Sequence, residues 1–250
     1  MFKKMIKSFV LVGFVAITFS SLPTFAEEES VTSGSADVSI LSQYVWRGYA
    51  YSDSSFVVQP SITGSYKGLS LNVWGNLDMN YYAGDESEFN ETDLTLSYDM
   101  SFDKVSVGLG YIYYGLESTE DSQEFYVSVG VDTLLSPSLT IYRDVDEFPG
   151  WYYNLGIAYS VPLGKILNGE DVALDLSAAV GYYDIGDYSE FHDGNISASV
   201  TFPINSNFSI TPALSYAFGL TDDSKADLKA GSADSDSSHI YGGITFSIAF

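Results

Sequence analysis

The sequence contains no cysteine and few positive charges. The absence of cysteine excludes a disulfide framework, a thiolate nucleophile and a cysteine-based metal site. Lysine and arginine number 10 against 33 aspartate and glutamate residues, which argues against binding to nucleic acid or to an anionic lipid surface. After residue 26 no apolar run approaches the ~20 residues of a membrane-spanning helix. If this chain crosses a membrane, it must therefore do so with strands.

The first 26 residues have the pattern of a secretory signal peptide. Three lysines precede an apolar run over residues 9–19, and small residues suited to cleavage lead up to Ala26. An uncleaved membrane anchor is the alternative, but it needs ~18 apolar residues and this run is shorter. We expect a mature chain of residues 27–250, forming one domain with a formal charge of 7 − 33 = −26.

The rest of the chain consists of segments of about ten residues that alternate apolar with polar or small side chains. In residues 105–114, for example, Val105, Leu109 and Tyr113 share one face of a strand, and Gly108 shares the other. This alternation indicates strands with one face for lipid and one for water. We count twelve segments: 36–47, 56–66, 69–78, 92–100, 105–114, 124–132, 138–144, 151–161, 172–183, 195–204, 208–218 and 239–250.

The connections between these segments are ordered by length. Those after even-numbered segments are mostly tight, such as Lys67-Gly68, whereas those after odd-numbered segments are mostly longer and acidic, such as residues 79–91 and 219–238. A soluble β-sandwich also alternates, but nothing in it orders the connections in this way. The sequence predicts an all-β fold: a transmembrane antiparallel up-and-down barrel of about 12 strands, in a bacterial outer membrane, with both termini in the periplasm.

Outward-facing aromatic residues are predicted to form two belts, because rings with a polar edge suit membrane interfaces. The outer belt is Tyr44, Trp46, Tyr111, Tyr113, Trp151, Tyr153, Tyr182, Tyr216 and Phe218, and the inner belt is Tyr66, Tyr98, Tyr159, Phe202, Phe208 and Phe246.

The last segment ends on an aromatic residue, Phe250, and resembles the terminal strand signal of outer-membrane proteins. That resemblance implies recognition by the barrel-insertion machinery, with outer-membrane lipid and lipopolysaccharide as surroundings. Pro60 and Pro212 fall within predicted strands, where each removes a hydrogen-bond donor. We expect a β-bulge at each proline.

Three stretches near the start of the mature chain are similar to a known family. Residues 41–48 (LSQYVWRG), 59–61 (QPS) and 67–76 (KGLSLNVWGN) resemble the beginning of the TorF-like porin family. The resemblance covers the first three predicted strands and continues only through length and barrel pattern. It implies an outer-membrane barrel with a channel role and supplies no catalytic residues.

The inward-facing positions of the predicted strands carry one cation among eight acids. Twelve strands lie between the filled eight-stranded barrel and the 16-stranded porin, so a narrow pore is possible. Small residues such as Gly108 and Gly110 would leave space in it, and inward tyrosines would narrow it. An open pore should favour cations. The predicted pore lining is Arg47, Asp37, Asp78, Asp93, Asp99, Glu124 and Asp175, with Asp132 and Asp144 also directed inward.

Arg47 is the single inward cation. It could pair with a facing acid and form a constriction, or it could only stabilise the wall. The leading hypothesis is a channel through which small hydrophilic solutes diffuse, without a cofactor and without enzymatic activity.

Two other functions stay open. One is an outer-leaflet lipid hydrolase using His192, placed in the acidic loop 184–193, or His239, predicted to point inward, and the other is a structural or adhesive barrel. The acidic loops could also bind divalent cations, but Asp234-Ser-Asp236 lacks the glycine and glutamate of a calcium loop. Solvated loops are the simpler interpretation, and neither a catalytic nor a metal site is assigned.

Overall fold

A computed structural model describes residues 32–53, 55–81, 86–117, 119–165 and 171–250. Within them the chain forms a closed antiparallel barrel whose wall has twelve strands, together with one short helix. This confirms the fold class predicted from the alternation. The predicted signal peptide, residues 1–26, lies outside the described residues.

The strands follow one another round the barrel in chain order. They are β1 (Thr32–Leu41), β2 (Val45–Trp46), β3 (Tyr49–Ala50), β4 (Val57–Tyr66), β5 (Leu69–Tyr81), β6 (Glu86–Phe102), β7 (Val105–Leu116), β8 (Ser122–Val131), β9 (Ser138–Asp144), β10 (Gly150–Lys165), β11 (Asp171–Ile185), β12 (Tyr188–Val200), β13 (Phe202–Pro203), β14 (Phe208–Gly219) and β15 (Ser238–Ala249), with helix α1 (Asp222–Gly231) between the last two. β2 and β3 form a separate hairpin, and β13 is a short strand beside β14. The other twelve strands make the wall.

The barrel closes where its first and last strands meet. β1 pairs with β15 from Ser35↔Ala249 to Leu41↔Gly243. Beyond that ladder, the Phe250 amide donates to the Gly34 carbonyl at 2.9 Å and the Gly34 amide donates back at 2.7 Å. Phe250 therefore extends the seam, and it lies at the same end of the barrel as Thr32, the first described residue.

The two ends of the barrel differ in their connections. Thr32, Phe250 and the two-residue turns at 67–68 and 103–104 lie at what we call the turn end. The connections 42–56 and 220–237 lie at the opposite, loop end. Two predicted loops are mostly strand: β5 and β6 occupy most of 79–91, and β12 begins at Tyr188 within 184–193. The apolar alternation marks only the lipid-facing part of a strand, and the backbone ladder continues past it into acidic sequence.

The outer face of the wall is apolar. Tyr66, Tyr98 and Tyr159 are exposed near the turn end, and Trp151 and Tyr216 near the loop end, as the two predicted belts require. Rings of neighbouring strands touch within the belt at the loop end, as Tyr153 and Tyr182 do with centroids 6.0 Å apart. Among the described residues, no helix combines the length and apolar character needed to span a bilayer.

Two members of the predicted outer belt were assigned wrongly. β1 ends at Leu41, so Tyr44 and Trp46 lie inside the barrel, with Tyr44 only 3% exposed. The chain leaves the wall at Ser42 and re-forms as the β2–β3 hairpin, which alternates just as β1 does. The alternation of apolar and polar residues therefore continues from β1 into the hairpin, although the chain changes direction between them. The sequence pattern alone does not show that change of direction.

The predicted bulges at the two prolines are also wrong. Pairing of β4 with β5 skips Pro60, and pairing of β14 with β12 and β13 skips Pro212, in unchanged register on either side. Proline lacks the amide donor, so part of the ladder is left open without an extra residue being inserted. The irregularities of register lie elsewhere, for example between Val180 and Tyr182 in β11.

Candidate functional site

The first connection at the loop end turns back into the barrel as the β2–β3 hairpin. Arg47 and Gly48 form its two-residue turn with φ of 46° and 86°, the left-handed pair that tight hairpins require. Behind the turn, Val45 and Ala50 are buried in a cluster with Ala217 and Tyr241 of the wall. The hairpin is thus packed inside the barrel, with its tip aimed at the opposite wall.

Arg47 joins the hairpin tip to that wall. Its Nη1 donates to Oε1 of Glu124 and its Nη2 to Oε2, both at 2.7 Å, so the contact is bidentate. Nη1 also donates to the Tyr183 hydroxyl at 3.1 Å, and the Tyr114 hydroxyl donates to Oε2 of Glu124 at 2.8 Å. Arg47 is 7% exposed and Glu124 3%, so the ion pair is shielded from water.

Aromatic rings surround the guanidinium on several sides. Its carbon lies 4.2 Å from the ring centres of Trp46 and Tyr152 and 4.7 Å from that of Tyr142. Burial by itself lowers the pKa of Arg47, but Glu124, Tyr183 and Tyr114 together outweigh it and hold that pKa well above its ordinary value. Arg47 is therefore a permanent cation that is neutralised by Glu124, surrounded by aromatic rings and held to the wall by three hydrogen bonds.

Helix α1, in the last connection, packs onto the hairpin. Thr221 caps the helix in a reciprocal pair with Ser224, and Leu228 is completely buried beneath it. The Ala233 amide donates to the Ala50 carbonyl at 2.8 Å, and the Tyr49 hydroxyl donates to Asp227. The two connections brace each other, and we call residues 42–56 and 220–237 together the loop plug.

Lumen-facing glycines do not leave open space. A Cβ on Gly110 would lie 2.2 Å from the Tyr126 ring, and one on Gly181 would lie 2.4 Å from the Tyr152 hydroxyl. The expectation that small inward residues leave space is therefore wrong at these positions, because side chains of neighbouring strands occupy the volume.

The lumen has two different halves. Towards the turn end its wall is lined by partly exposed small polar residues such as Asn72, Ser128 and Ser177. Towards the loop end the inward side chains are buried beneath the loop plug, including Gln59 and Asn76 at 1% and 0% exposure. The barrel is a polar vestibule at one end and a filled, hydrogen-bonded layer at the other.

The predicted pore-lining residues divide between these halves. Asp99 and Asp175 lie on the inner wall near the turn end and are partly exposed. Asp37 is buried further along, 3.5 Å from the Ser35 hydroxyl that donates to it. The remaining three acids belong to the loop-end half: Asp78 accepts from the Ser55 hydroxyl, Asp93 has an oxygen without a partner, and Glu124 holds Arg47.

Asp132 and Asp144, also directed inward by the sequence, have different positions. Asp132 follows the end of β8 in a turn-end connection and is exposed. Asp144 is buried at the loop end, where it accepts from the Ser122 hydroxyl at 2.7 Å.

Neither histidine is hydrogen-bonded to a serine in the part of the chain that the structure describes. His192 was placed in a loop, but it lies in β12 and is fully buried, with the Tyr188 hydroxyl 2.8 Å from its Nδ1. His239 lies inside the barrel, as predicted, with Nδ1 3.2 Å from Asp234. The nucleophile–base contact that would favour a hydrolase is not present at either residue.

The acidic segment 234–236 makes hydrogen bonds within the loop plug. Asp234 accepts from the Gln43 amide at 2.8 Å and so ties the last connection to the first. Asp236 accepts from the Ser237 backbone amide at 2.6 Å. The described residues contain no group of three or more histidine, aspartate or glutamate side chains arranged to hold a metal ion.

Several residues of this site were missed by sequence reasoning. The sequence pattern predicts a loop at Tyr49 and Tyr51, and a solvated loop where the structure has helix α1. The signals that could have located them are the Arg47-Gly48 pair, typical of a tight hairpin, and Thr221 with Ser224, typical of a helix start.

These features define a closed antiparallel β-barrel with an apolar outer face, narrowed by its own connections. Solved structures share the fold. A KdgM porin superposes with a TM-score of 0.54 at 12% identity, over 85% of this chain and 98% of that one. A NanC porin gives 0.53 at 10% identity, over 86% and 98%.

A KdgM porin in complex with disordered oligogalacturonate gives a TM-score of 0.54 at 13% identity, over 86% of this chain and 99% of that one. No family model and no curated protein matches the chain. The similarity therefore establishes the barrel fold, and the TorF-like resemblance of the first strands stays a prediction.

Proposed function

We propose that this protein is an outer-membrane channel for small hydrophilic solutes, that it prefers cations, and that the loop plug is its constriction. The observation that carries the proposal is the Arg47–Glu124 pair, which joins an inward-folded connection to the opposite wall in the path along the barrel axis. In a barrel whose connections stayed outside the lumen, no side chain would have to join a connection to the opposite wall. This buried contact holds the inward-folded connection against the far wall of the lumen.

The preference for cations follows from which charges are left uncompensated. The positive charge of Arg47 is taken up by Glu124, whereas Asp99 and Asp175 stay partly exposed in the vestibule. Carboxylates in a narrow polar passage lower the energy of cations and raise that of anions. The vestibule should therefore concentrate cations before they reach the constriction.

The membrane arrangement is part of the same proposal. The loop end would face the cell exterior and the turn end, with both chain ends, the periplasm, because outer-membrane barrels place short turns there. Lipid and lipopolysaccharide would contact the apolar outer face. The barrel-insertion machinery would recognise the last strand, which ends at Phe250.

Bilayer recording tests the channel directly. Protein refolded in detergent and added to a planar bilayer is expected to give small, discrete conductance steps, with a reversal potential in a KCl gradient that shows cations passing in excess. A barrel that inserts in folded form and stays silent would contradict the proposal. Release of fatty acid from phospholipid vesicles would instead support a hydrolase.

Neutralising the vestibule acids should weaken the selectivity. We expect the Asp99→Asn, Asp175→Asn double variant to lower the cation-to-anion permeability ratio by about twofold to threefold, because two charges are removed from the solvent-accessible wall. The measurement is the reversal potential at a tenfold KCl gradient.

A matched control removes acids that do not face the lumen. Asp187 is exposed in the loop-end turn between β11 and β12, and Glu120 is exposed in the loop-end connection between β7 and β8. The Asp187→Asn, Glu120→Gln double variant loses the same formal charge and should keep the wild-type ratio. If the cation-to-anion permeability ratio falls equally in both double variants, the selectivity arises from the overall charge of the protein and not from the vestibule acids.

A further inference from the structure

A cavity of about 720 Å³ lies at the loop end, between the hairpin, helix α1 and the adjoining wall. That volume is in the range of sites that hold small molecules. The side chains that give the cavity its character are aromatic or acidic: Trp46, Tyr51, Tyr114, Glu91, Asp144 and Asp227. It lies above the Arg47–Glu124 pair and is formed only because the two connections fold inward.

The hairpin supplies a row of aromatic rings to this cavity. The Tyr51 ring stacks with the rings of Trp46 and Tyr49, with ring centres 6.0 Å apart in both pairs and interplanar angles of 28° and 5°. Tyr114 meets Trp46 edge-on at 6.2 Å. Each of these rings is partly exposed. The faces of aromatic rings are electron-rich, and a desolvated face attracts a cation.

The charges around the cavity have one sign. The described residues that line it include Glu91, Glu124, Asp144 and Asp227, and no lysine, arginine or histidine. Arg47 neutralises Glu124, but the hydroxyl groups that contact Glu91, Asp144 and Asp227 carry no charge. Three carboxylates therefore have no counter-ion in the cavity wall.

We infer that this cavity is a binding site for a small organic cation, with an ammonium group held against the aromatic row and near Glu91. The carboxylates would repel an anion. A neutral sugar could stack on the rings but would leave the acidic side chains of the cavity without a counter-ion. An ammonium group satisfies the rings and the carboxylates together.

Binding at this site does not require conduction, so the two proposals fail separately. A ligand could occupy the loop-end cavity in a barrel that never opens, and a channel could conduct inorganic ions with the cavity empty. Binding is therefore measured on folded protein in detergent, and conduction in bilayers without the probe.

Isothermal titration with choline is the first experiment. Choline carries a quaternary ammonium group, and 3,3-dimethylbutan-1-ol has the same shape without the charge. We expect choline to bind at least about tenfold more tightly than the neutral alcohol, since cation–π attraction and nearby carboxylates act only on the charged probe. Equal affinity for the two probes, or no binding of choline, would overturn the proposal. Binding of maltose in preference to choline would also overturn it, in favour of a saccharide site.

Variants then locate the site. Glu91→Gln and Tyr51→Leu are each expected to weaken choline binding by about tenfold, and Tyr51→Phe, which keeps the ring face, should bind within about twofold of wild type. Asp103→Asn, which removes an exposed acid in the turn between β6 and β7 at the opposite end of the barrel, is the charge control. Folding of each variant is checked by its β-sheet circular dichroism. Unchanged choline affinity in folded Glu91→Gln and Tyr51→Leu would overturn the assignment.

Discussion

Arg47→Ala is expected to raise the single-channel conductance of the barrel by about twofold or more, because it frees the hairpin from the opposite wall and widens the narrowest part of the passage. The side chain makes three hydrogen bonds to Glu124 and Tyr183 and is stacked among rings of three wall strands. Of the ion pairs Arg47–Glu124, Lys225–Asp222 and His239–Asp234, it is Arg47–Glu124 that joins the hairpin to the opposite wall.

The energy behind this effect is large for one residue. Removing one partner of a buried ion pair costs about 3–5 kcal/mol, since the other charge is left without compensation. In Arg47→Ala the abandoned charge is Glu124, at 3% exposure. The simplest way for the molecule to relieve it is to admit water between the hairpin and the wall, and that same movement opens the passage.

Two comparisons identify the cause of the change. Arg143→Ala removes an arginine whose guanidinium lies 5.1 Å from the Trp151 ring on the outer face, and it should leave the conductance unchanged. Glu124→Gln breaks the same ion pair from the wall side and should shift conductance in the same direction as Arg47→Ala. If folded Arg47→Ala conducts like wild type, the hairpin does not set the constriction.

Gly48→Ala is expected to dislodge the loop plug as a whole. Gly48 has φ of 86°, where an alanine costs about 1–2 kcal/mol, and a Cβ there would lie 2.9 Å from the Cβ of Asp193 and 3.0 Å from a methyl group of Leu228. One added methyl group therefore strains the hairpin turn and pushes against the buried residue of α1. We expect conductance to rise and α1 to become accessible.

Limited trypsin digestion reports that accessibility. Lys225 and Lys229 are the only basic residues between 219 and 238, so cleavage within α1 is seen as loss of a defined C-terminal fragment. We expect Gly48→Ala to be cut there about tenfold faster than wild type, since cleavage follows the population of the open form.

Gly64→Ala is the matched control for this digestion. A Cβ on Gly64 meets nothing within 4 Å, and its φ is not in the left-handed region. Gly64→Ala should behave as wild type. Equal cleavage rates in Gly48→Ala and wild type would show that the loop plug tolerates the methyl group.

The wall of the barrel could be predicted because lipid imposes a simple rule on it. Val105, Leu109 and Tyr113 alternate with inward residues for no reason other than the two solvents on the two sides of the strand. Pairing of neighbouring segments then follows from chain order. The ends of the strands were predicted less accurately than their centres, because the hydrogen-bonded ladders of β5, β6 and β12 extend beyond the lipid-facing part.

The site could be predicted only in part. The inward direction of Arg47 and Glu124 followed from parity, but Arg47 was placed on a wall strand, whereas it is at the tip of a hairpin that crosses the lumen. Its neighbours Tyr44 and Trp46 were predicted to face lipid because the same segment was assigned to the wall. Period-two patterning shows that a strand has two faces, and says nothing of whether the strand belongs to the wall.

The sequence by itself determined a transmembrane barrel of twelve alternating strands, closed at Phe250, because each strand is selected locally by lipid on one side and water on the other. Only the tertiary structure decided what fills the barrel. The loop plug depends on contacts between residues far apart in the chain, such as Arg47 with Glu124 and Gln43 with Asp234. Such contacts form inside a closed wall, where position in space and not sequence pattern determines which side chains meet.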